Sequence, residues 1–416
     1  MSSPIWHPFT QHGLGEPIPL VTRTEGAALH TADGRRIVDA ISSWWVTTHG
    51  HRHPRIMAAI AEQATRMDQI IFAGWTHQPA EDLALGLTQI MPPALAKVFF
   101  SDSGSTSVEV ALKMALGYWR NRGEPRERVL VLEHGYHGDT IGTMSVGARG
   151  VFNQAYSPLL FDVGTIPFPA PGAEQASLDA LDAACTSGPA AFIVEPLVVG
   201  AGGMLFYPSW VLAEMSAICA LHRVLFIADE VMTGWGRTGT LLACEQAEIV
   251  PDILCLSKGL TGGAVPLAVT MATADIFDAH VSDDRARMFF HSSSYTANPI
   301  ACAAANANLA IWREEPVLAR VADLARRQAA HAARLAAIPG IANARTLGTI
   351  AAFELGDASG TYLSELGPRL LAFFRERDLL LRPLGNTVYV MPPYCIDDSD
   401  LDRIYSAIAD AAERFA

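Results

Sequence analysis

The chain has 416 residues, 50% of them hydrophobic and 18% charged, with a formal net charge of −13. This composition suits a folded protein of two to three domains and argues against a nucleic-acid binder, which would carry a basic stripe. No apolar run approaches the ~20 residues of a spanning helix, the N-terminus lacks the pattern of a secretion signal, and the six cysteines include no Cys-x-x-Cys pair. A cytoplasmic protein with free thiols, no membrane span, no disulfide framework and no metal site is therefore expected.

Residues 1–48 read as an arm followed by short strands, with 27–30 and 36–39 flanking the turn Ala32-Asp33-Gly34. His49, His51 and His53 follow. Gly50 and Pro54 make that stretch a turn, so the three side chains do not line up as metal ligands on a strand would.

Residues 49–310 alternate strand-like and helix-like text. The runs 98–101, 129–132, 191–194, 225–228, 253–256 and 267–271 are almost continuously apolar, and helical stretches such as 108–120 and 210–221 lie between some of them. Such text predicts an α/β fold, with a mostly parallel sheet covered on both faces. Residues 311–416 read as a smaller α+β part. A long helix over 317–337 leads to a strand over 348–355, a helix over 366–377, strands over 379–382 and 387–391, and a last helix opening at Asp398-Ser399-Asp400, whose carboxylates suit a cap and first turn.

Two of the apolar runs end on ionisable residues, Asp229 and Lys258. From that pair alone, a buried ion pair is the commoner arrangement. A lysine and a carboxylate at one edge of an open α/β sheet also suit a pyridoxal phosphate (PLP) enzyme. There the amine forms a Schiff base and the carboxylate keeps the ring nitrogen protonated. Ser101-Asp102-Ser103-Gly104-Ser105-Thr106 joins a strand to a helix and offers free backbone N–H groups to a phosphate. With no P-loop lysine or G-x-G-x-x-G, a cofactor phosphate fits better than a nucleotide. Tyr136, in Gly135-Tyr136-His137-Gly138-Asp139-Thr140, follows another strand and is placed to lie against a planar cofactor, whereas Gly234-Trp235-Gly236-Arg237-Thr238-Gly239 reads as a structural turn.

The run Asp229-Glu230-Val231-Met232-Thr233-Gly234-Trp235-Gly236-Arg237-Thr238-Gly239, with Ser257-Lys258-Gly259 beyond it, resembles the class III aminotransferases of PLP fold type I, over essentially the whole chain. The resemblance implies a large PLP-binding domain over 49–310 and a small domain built from both termini, 1–48 and 311–416. It implies Lys258 as the Schiff-base lysine, Asp229 as partner of the ring nitrogen, Gly104 and Ser105 at the phosphate, and Tyr136 and Val231 on the two ring faces. Glu195 would support the ring hydroxyl region. Ser294 would reach the neighbouring subunit's phosphate site, in a homodimer with shared active sites.

Trp6-His7-Pro8-Phe9-Thr10-Gln11, Ser42-Ser43-Trp44-Trp45, Pro251-Asp252-Ile253-Leu254-Cys255-Leu256, Gly200-Ala201-Gly202-Gly203-Met204 and Met391-Pro392-Pro393-Tyr394 resemble the branch that aminates 8-amino-7-oxononanoate in biotin synthesis. S-adenosylmethionine is the usual amino donor there and lysine serves some members. Arg382 is then expected to bind the substrate carboxylate, Trp44 and Trp45 to line its apolar chain, and Tyr389 and Asp139 to hydrogen-bond nearby. Two departures stand out. Phe9 replaces a frequent tyrosine, which leaves Asp139 to a water. Ser292-Ser293-Ser294 replaces a Gly-Pro-Thr run, with the hydroxyl kept at 294. The alternative is another class III enzyme acting on an ω-amino acid or diamine with pyruvate.

Overall fold

The computed structural model describes residues 3–356 and 365–415. From the N-terminus, β1 (Val21–Glu25), β2 (Ala28–Thr31) and β3 (Arg36–Asp39) form an antiparallel meander, and α1 (Ser42–Trp45) is a short distorted turn with Ser43 at φ 60°. Helices α2 (Pro54–Ala64) and α3 (Gln78–Ile90) lead into the large sheet. Its strands are β4 (Lys97–Ser101), β5 (Val129–Leu132), β6 (Gly164–Ile166), β7 (Ala191–Val194), β10 (Leu225–Asp229), β11 (Ile253–Leu256) and β12 (Ala268–Ala272). The two-residue strands β8 (Val198–Val199) and β9 (Leu205–Phe206) pair as a hairpin after β7. The helices of this part are α4 (Gly104–Asn121), α5 (Ile141–Val146), α6 (Glu174–Cys185), α7 (Ser209–Leu221) and α8 (Ala274–Asp278).

The large sheet has the order β4-β12-β11-β10-β7-β5-β6. β5, β7, β10 and β11 read VLVL, AFIV, LFIAD and ILCL, and every residue in them is buried. Two-sided burial is what a parallel sheet between helices requires. β12 is the exception to the parallel run, pairing antiparallel with both β11 and β4. β10 and β11 are parallel neighbours with Asp229 opposite Cys255, which brings the chain after each strand to the same edge of the sheet.

Beyond α9 (Pro299–Glu314) and α10 (Val317–Leu335), the chain forms β13 (Ile341–Leu347), β14 (Ile350–Leu355), α11 (Leu366–Glu376), β15 (Leu379–Leu380), β16 (Thr387–Val390) and α12 (Asp398–Phe415). β15 pairs parallel with β3, so segments from both ends of the chain share one sheet.

Three expectations change. Residues 348–355 are the second arm of a hairpin turning at Gly348, and the half-exposed first arm, β13, has no alternation in the sequence to mark it. The strand over 379–382 stops at Leu380, which leaves Arg382 outside it. At the last helix, Asp397 rather than Asp398 is the cap: its Oδ1 accepts the Asp400 N–H at 2.7 Å, while Asp400 itself takes Arg36 at 2.8 and 2.7 Å.

Candidate active site

Lys258, Asp229, Tyr136, Gly104, Ser105, Glu195, Val231 and Trp45 line one cleft of about 140 Å³ at that shared edge, together with His137, Gly138 and Met232. Each element delivers its residue for a local reason. Lys258 opens a 3₁₀ turn with φ 44°, a strained value for a residue with a side chain. The turn is anchored by the Ser257 hydroxyl on the Leu267 carbonyl at 2.8 Å and by the Asn308 amide on the Gly259 and Leu260 carbonyls, both at 3.0 Å. Asn308 is in turn held by His49 Nε2 at 2.9 Å, and burial pushes the His49 imidazole down to about 4, so it stays neutral. His51 goes instead to Asp39 at 2.8 Å. These histidines therefore brace separate parts of the fold.

The Lys258 amine is enclosed by protein and lies 4.8 Å from the centre of the Trp45 ring. Burial pulls its pKa from 10.5 to about 8, against the opposing pull of Asp229 and Glu195. Asp229 accepts the Val231 N–H at 3.1 Å and pairs with His137 Nδ1 at 2.7 Å. Burial alone would lower the His137 pKa; the hydrogen bond and charge of Asp229 outweigh it and leave the imidazole raised. Glu195 accepts the N–H of Tyr136 at 2.9 Å and of Gly200 at 3.0 Å, and burial lifts its pKa to about 7. Tyr136 is also raised, by burial first and then by Asp139, which takes its hydroxyl. Asp139 therefore has a protein partner where a water was expected.

α4 begins at Gly104, capped by the Ser103 side chain on the Thr106 N–H. The amides of its first turn have no carbonyl four residues back to bond. A Cβ on Gly138 would stand 2.1 Å from Ser105 Oγ, and one on Gly104 2.6 Å from Val231 Cγ1. Glycine at these two positions keeps the cradle open.

The remaining predicted residues surround this cleft rather than line it. Trp45 Nε1 donates to the Tyr389 hydroxyl at 2.9 Å, so both are buried as a pair. Trp44 points the other way, half-exposed, with its ring tilted against that of Phe9 at 5.4 Å between centres. The Arg382 guanidinium lies 5.3 Å from the Trp44 ring and 5.9 Å from the Phe9 ring, and donates to the Phe9 carbonyl at 3.3 Å. Asp139 shares with Tyr136 an adjoining chamber of about 490 Å³ that also contains Phe152, Gly202, Gly203 and Asn386. Ser294 is exposed, and its carbonyl accepts from Gln69 at 2.6 Å; it does not line the cleft of its own chain. The structure adds His137, which carries no sign of a role in the run Gly135-Tyr136-His137-Gly138. The signal for it was only that it follows β5, which is separated from the Asp229 strand by β7 alone.

The family profile for class III aminotransferases matches residues 10–412. The chain belongs to the class III aminotransferases. Among curated relatives it is 46% identical to the adenosylmethionine-8-amino-7-oxononanoate aminotransferase of Synechococcus elongatus, covering 98% of this chain and 97% of the relative. It is 38% identical to the protein of that name from Nitratidesulfovibrio vulgaris, covering 98% and 80%. Among solved structures, the adenosylmethionine-8-amino-7-oxononanoate aminotransferase of Methanocaldococcus jannaschii superposes with a TM-score of 0.94 at 31% identity over 99% of this chain and 97% of that one. A PLP-bound amine transaminase from an uncultivated Pseudomonas species gives 0.93 at 30% identity over the whole of both chains.

Class III aminotransferases depend on PLP, and the residues present here fit that cofactor. The cleft holds one amine of lowered pKa, one buried carboxylate backed by an imidazole, and a helix N-terminus kept accessible by glycine. Those are the groups that an aldehyde, a pyridine nitrogen and a phosphate respectively require.

Proposed function

We propose that the protein transfers an amino group from S-adenosylmethionine to the 7-keto carbon of 8-amino-7-oxononanoate, giving 7,8-diaminononanoate in biotin biosynthesis in the cytoplasm. The observation that carries the substrate side is Arg382, a cation set over the Phe9 and Trp44 rings. Trp44 adjoins Trp45, which lines the Lys258 cleft. A terminal carboxylate on an apolar chain is matched by a guanidinium beyond an aromatic wall. Full-length identity to relatives bearing this activity in their names supports the same reading.

Bound PLP supplies an electron sink to the carbon that gains or loses a proton. The rest is the work of the chain. Lys258 would hold the cofactor and, when its amine is free, would move the proton at the substrate carbon; an amine pKa of about 8 leaves a usable neutral fraction near neutrality. Asp229 keeps a proton on the ring nitrogen, and His137 holds Asp229 in place. The first amides of α4 at Gly104 and Ser105 take the phosphate. Tyr136 and Val231 enclose the ring, and Glu195 supports its hydroxyl side. Trp45 and Tyr389 shape the wall along the substrate chain, and Asp139 sets the Tyr136 hydroxyl.

Replacing Arg382 with Ala is expected to raise the keto-acid KM at least ten-fold, as loss of a charge-assisted fork would, with cofactor affinity unchanged. An unaltered KM would remove Arg382 from this role. Ser294 serves a second copy's phosphate site in a homodimer. The exposed Ile71, Trp75, Phe290 and Tyr295 support that reading: they flank a surface joined by the bonds Gln69–Ser294 and Asn298–Asp68. Sedimentation velocity is expected to give a dimer, and a monomer at catalytic concentration would exclude the shared site.

A further inference from the structure

Arg345 lies in β13, outside the cleft, and spends its donors in an unusual way. β13 and β14 lose register between Ala342 and Arg345, and Asn343 inside this irregularity has φ 49°. A bulge of this kind re-aims the side chains that follow it. The guanidinium is held on its own sheet by the Asn343 carbonyl at 2.7 Å and Glu354 Oε1 at 3.1 Å, both through Nη1. Its other two nitrogens cross to the β8–β9 hairpin, Nε to the Met204 carbonyl at 2.8 Å and Nη2 to the Gly203 carbonyl at 2.7 Å. The side chain is only 17% exposed, and burial lowers its pKa, so the charge has been taken out of water to reach these carbonyls.

The hairpin tip that it grips is tied to the cleft. Gly203 and Met204 N–H groups both bond the Gly200 carbonyl, at 3.1 and 2.9 Å. The Gly200 N–H donates to Glu195, whose other oxygen receives the Tyr136 N–H. Gly200 packs so closely that a Cβ there would meet Met232 at 2.9 Å and Trp45 at 3.4 Å, and one on Gly202 would meet the His134 carbonyl at 2.4 Å. Met204, like Asn343, sits at positive φ without being glycine. Both ends of the clamp therefore hold backbone in a conformation that needs support.

We propose that Arg345 is a positioning residue for transamination: from the small C-terminal sheet it fixes the hairpin tip, and through Gly200 it sets Glu195 and the Tyr136 amide. The inference rests on reading those two residues as cofactor-side groups. Four hydrogen bonds spread over two elements need the five donors and planar fork of arginine, and the three donors of a lysine ammonium, gathered on one atom, cannot make them all.

The test compares Arg345→Lys with Glu354→Gln, which keeps the fork on the hairpin but removes the charge partner on the sheet. In the cofactor-free protein, amide hydrogen exchange at Gly200 and Tyr136 is expected to speed up at least ten-fold in Arg345→Lys and to stay near wild type in Glu354→Gln. In the cofactor-loaded enzyme, Arg345→Lys is expected to lower kcat about ten- to a hundred-fold, the scale of an ångström-level misplacement, and to shift the pH titration of the lysine-bound cofactor's absorbance. Unchanged exchange at the two amides would overturn the proposal. So would a lower Tm with normal kcat and titration per loaded enzyme, since that would mark Arg345 as structural only. The exchange readout needs no substrate, so the clamp is tested even if the keto acid is not turned over, an outcome that would sink the substrate reading alone.

Discussion

Lys258 shows what one residue gains from its setting. In water its ammonium would persist to 10.5; in the fold, burial brings this to about 8. For the cofactor-free protein the consequence is a pH-dependent stability. Between 8 and 10.5 the unfolded chain binds more protons at this site than the folded chain, so stability should rise with pH across that window. Glu195 acts in the opposite sense at lower pH: its folded value of about 7 against 4.5 means stability falls as pH rises through that interval. Urea unfolding at pH 8 and pH 10, for the wild type and for Lys258→Met, checks the first effect. The variant should lose the rise; an equal rise in both would mean that the lysine is not buried as described.

At this scale the sequence was readable where a residue's role follows from the strand it ends. Asp229 and Lys258 stand out because each closes an apolar run and the runs turn out to be parallel neighbours. His137 and Arg345 could not be found so. Their partners, Asp229 and the Gly203 and Met204 carbonyls, are distant in the chain and become neighbours only through sheet order. Trp44 and Trp45 show the limit of adjacency: the strained backbone at Ser43 and Trp45 sends one ring into the cleft and the other toward Phe9 and Arg382.

Among the elements, the two-sided apolar strands were legible because burial on both faces leaves no polar positions. Strand boundaries at 129–132, 191–194 and 253–256 fall where the apolar runs do. β13 was not legible, since it carries a bulge and a mixed exposure pattern that breaks alternation. The start of α12 at Asp398 was legible, but its cap was not: Asp397 stands one residue earlier, and only its bond to the Asp400 amide marks it as the cap. Asp397→Ala is therefore expected to cost about 1 kcal/mol of stability. Asp398→Ala, which loses a first-turn charge and an exposed pair with Arg327, should cost about 0.3 kcal/mol. Denaturant midpoints at constant slope measure both, and a larger loss at Asp398 would return the cap to that residue.

Across the whole molecule, the cleft and the aromatic group beside it come from different parts of the chain. The large sheet delivers Lys258, Asp229, Tyr136 and the α4 N-terminus to one edge. The terminal segments supply Trp45, Tyr389 and the Phe9–Trp44–Arg382 group, and buried Arg237 ties these layers together by donating to Thr47 at 2.8 Å and Pro392 at 3.0 Å. Motif length made this assembly readable in the sequence: the run from Asp229 to Gly239 together with Lys258 points to the family, and the aromatic pairs to the branch. Phe9 leaves the donor side the least determined by sequence, because it carries no hydroxyl and packs its ring against Trp44 and Phe152.

The most direct test follows the absorbance of the lysine-bound cofactor in the purified, PLP-loaded protein. S-adenosylmethionine alone should bleach the band, and subsequent 8-amino-7-oxononanoate should restore it as 7,8-diaminononanoate forms. Bleaching by alanine instead, with pyruvate but not the keto acid restoring the band, would contradict the account and assign the cleft to a different substrate pair.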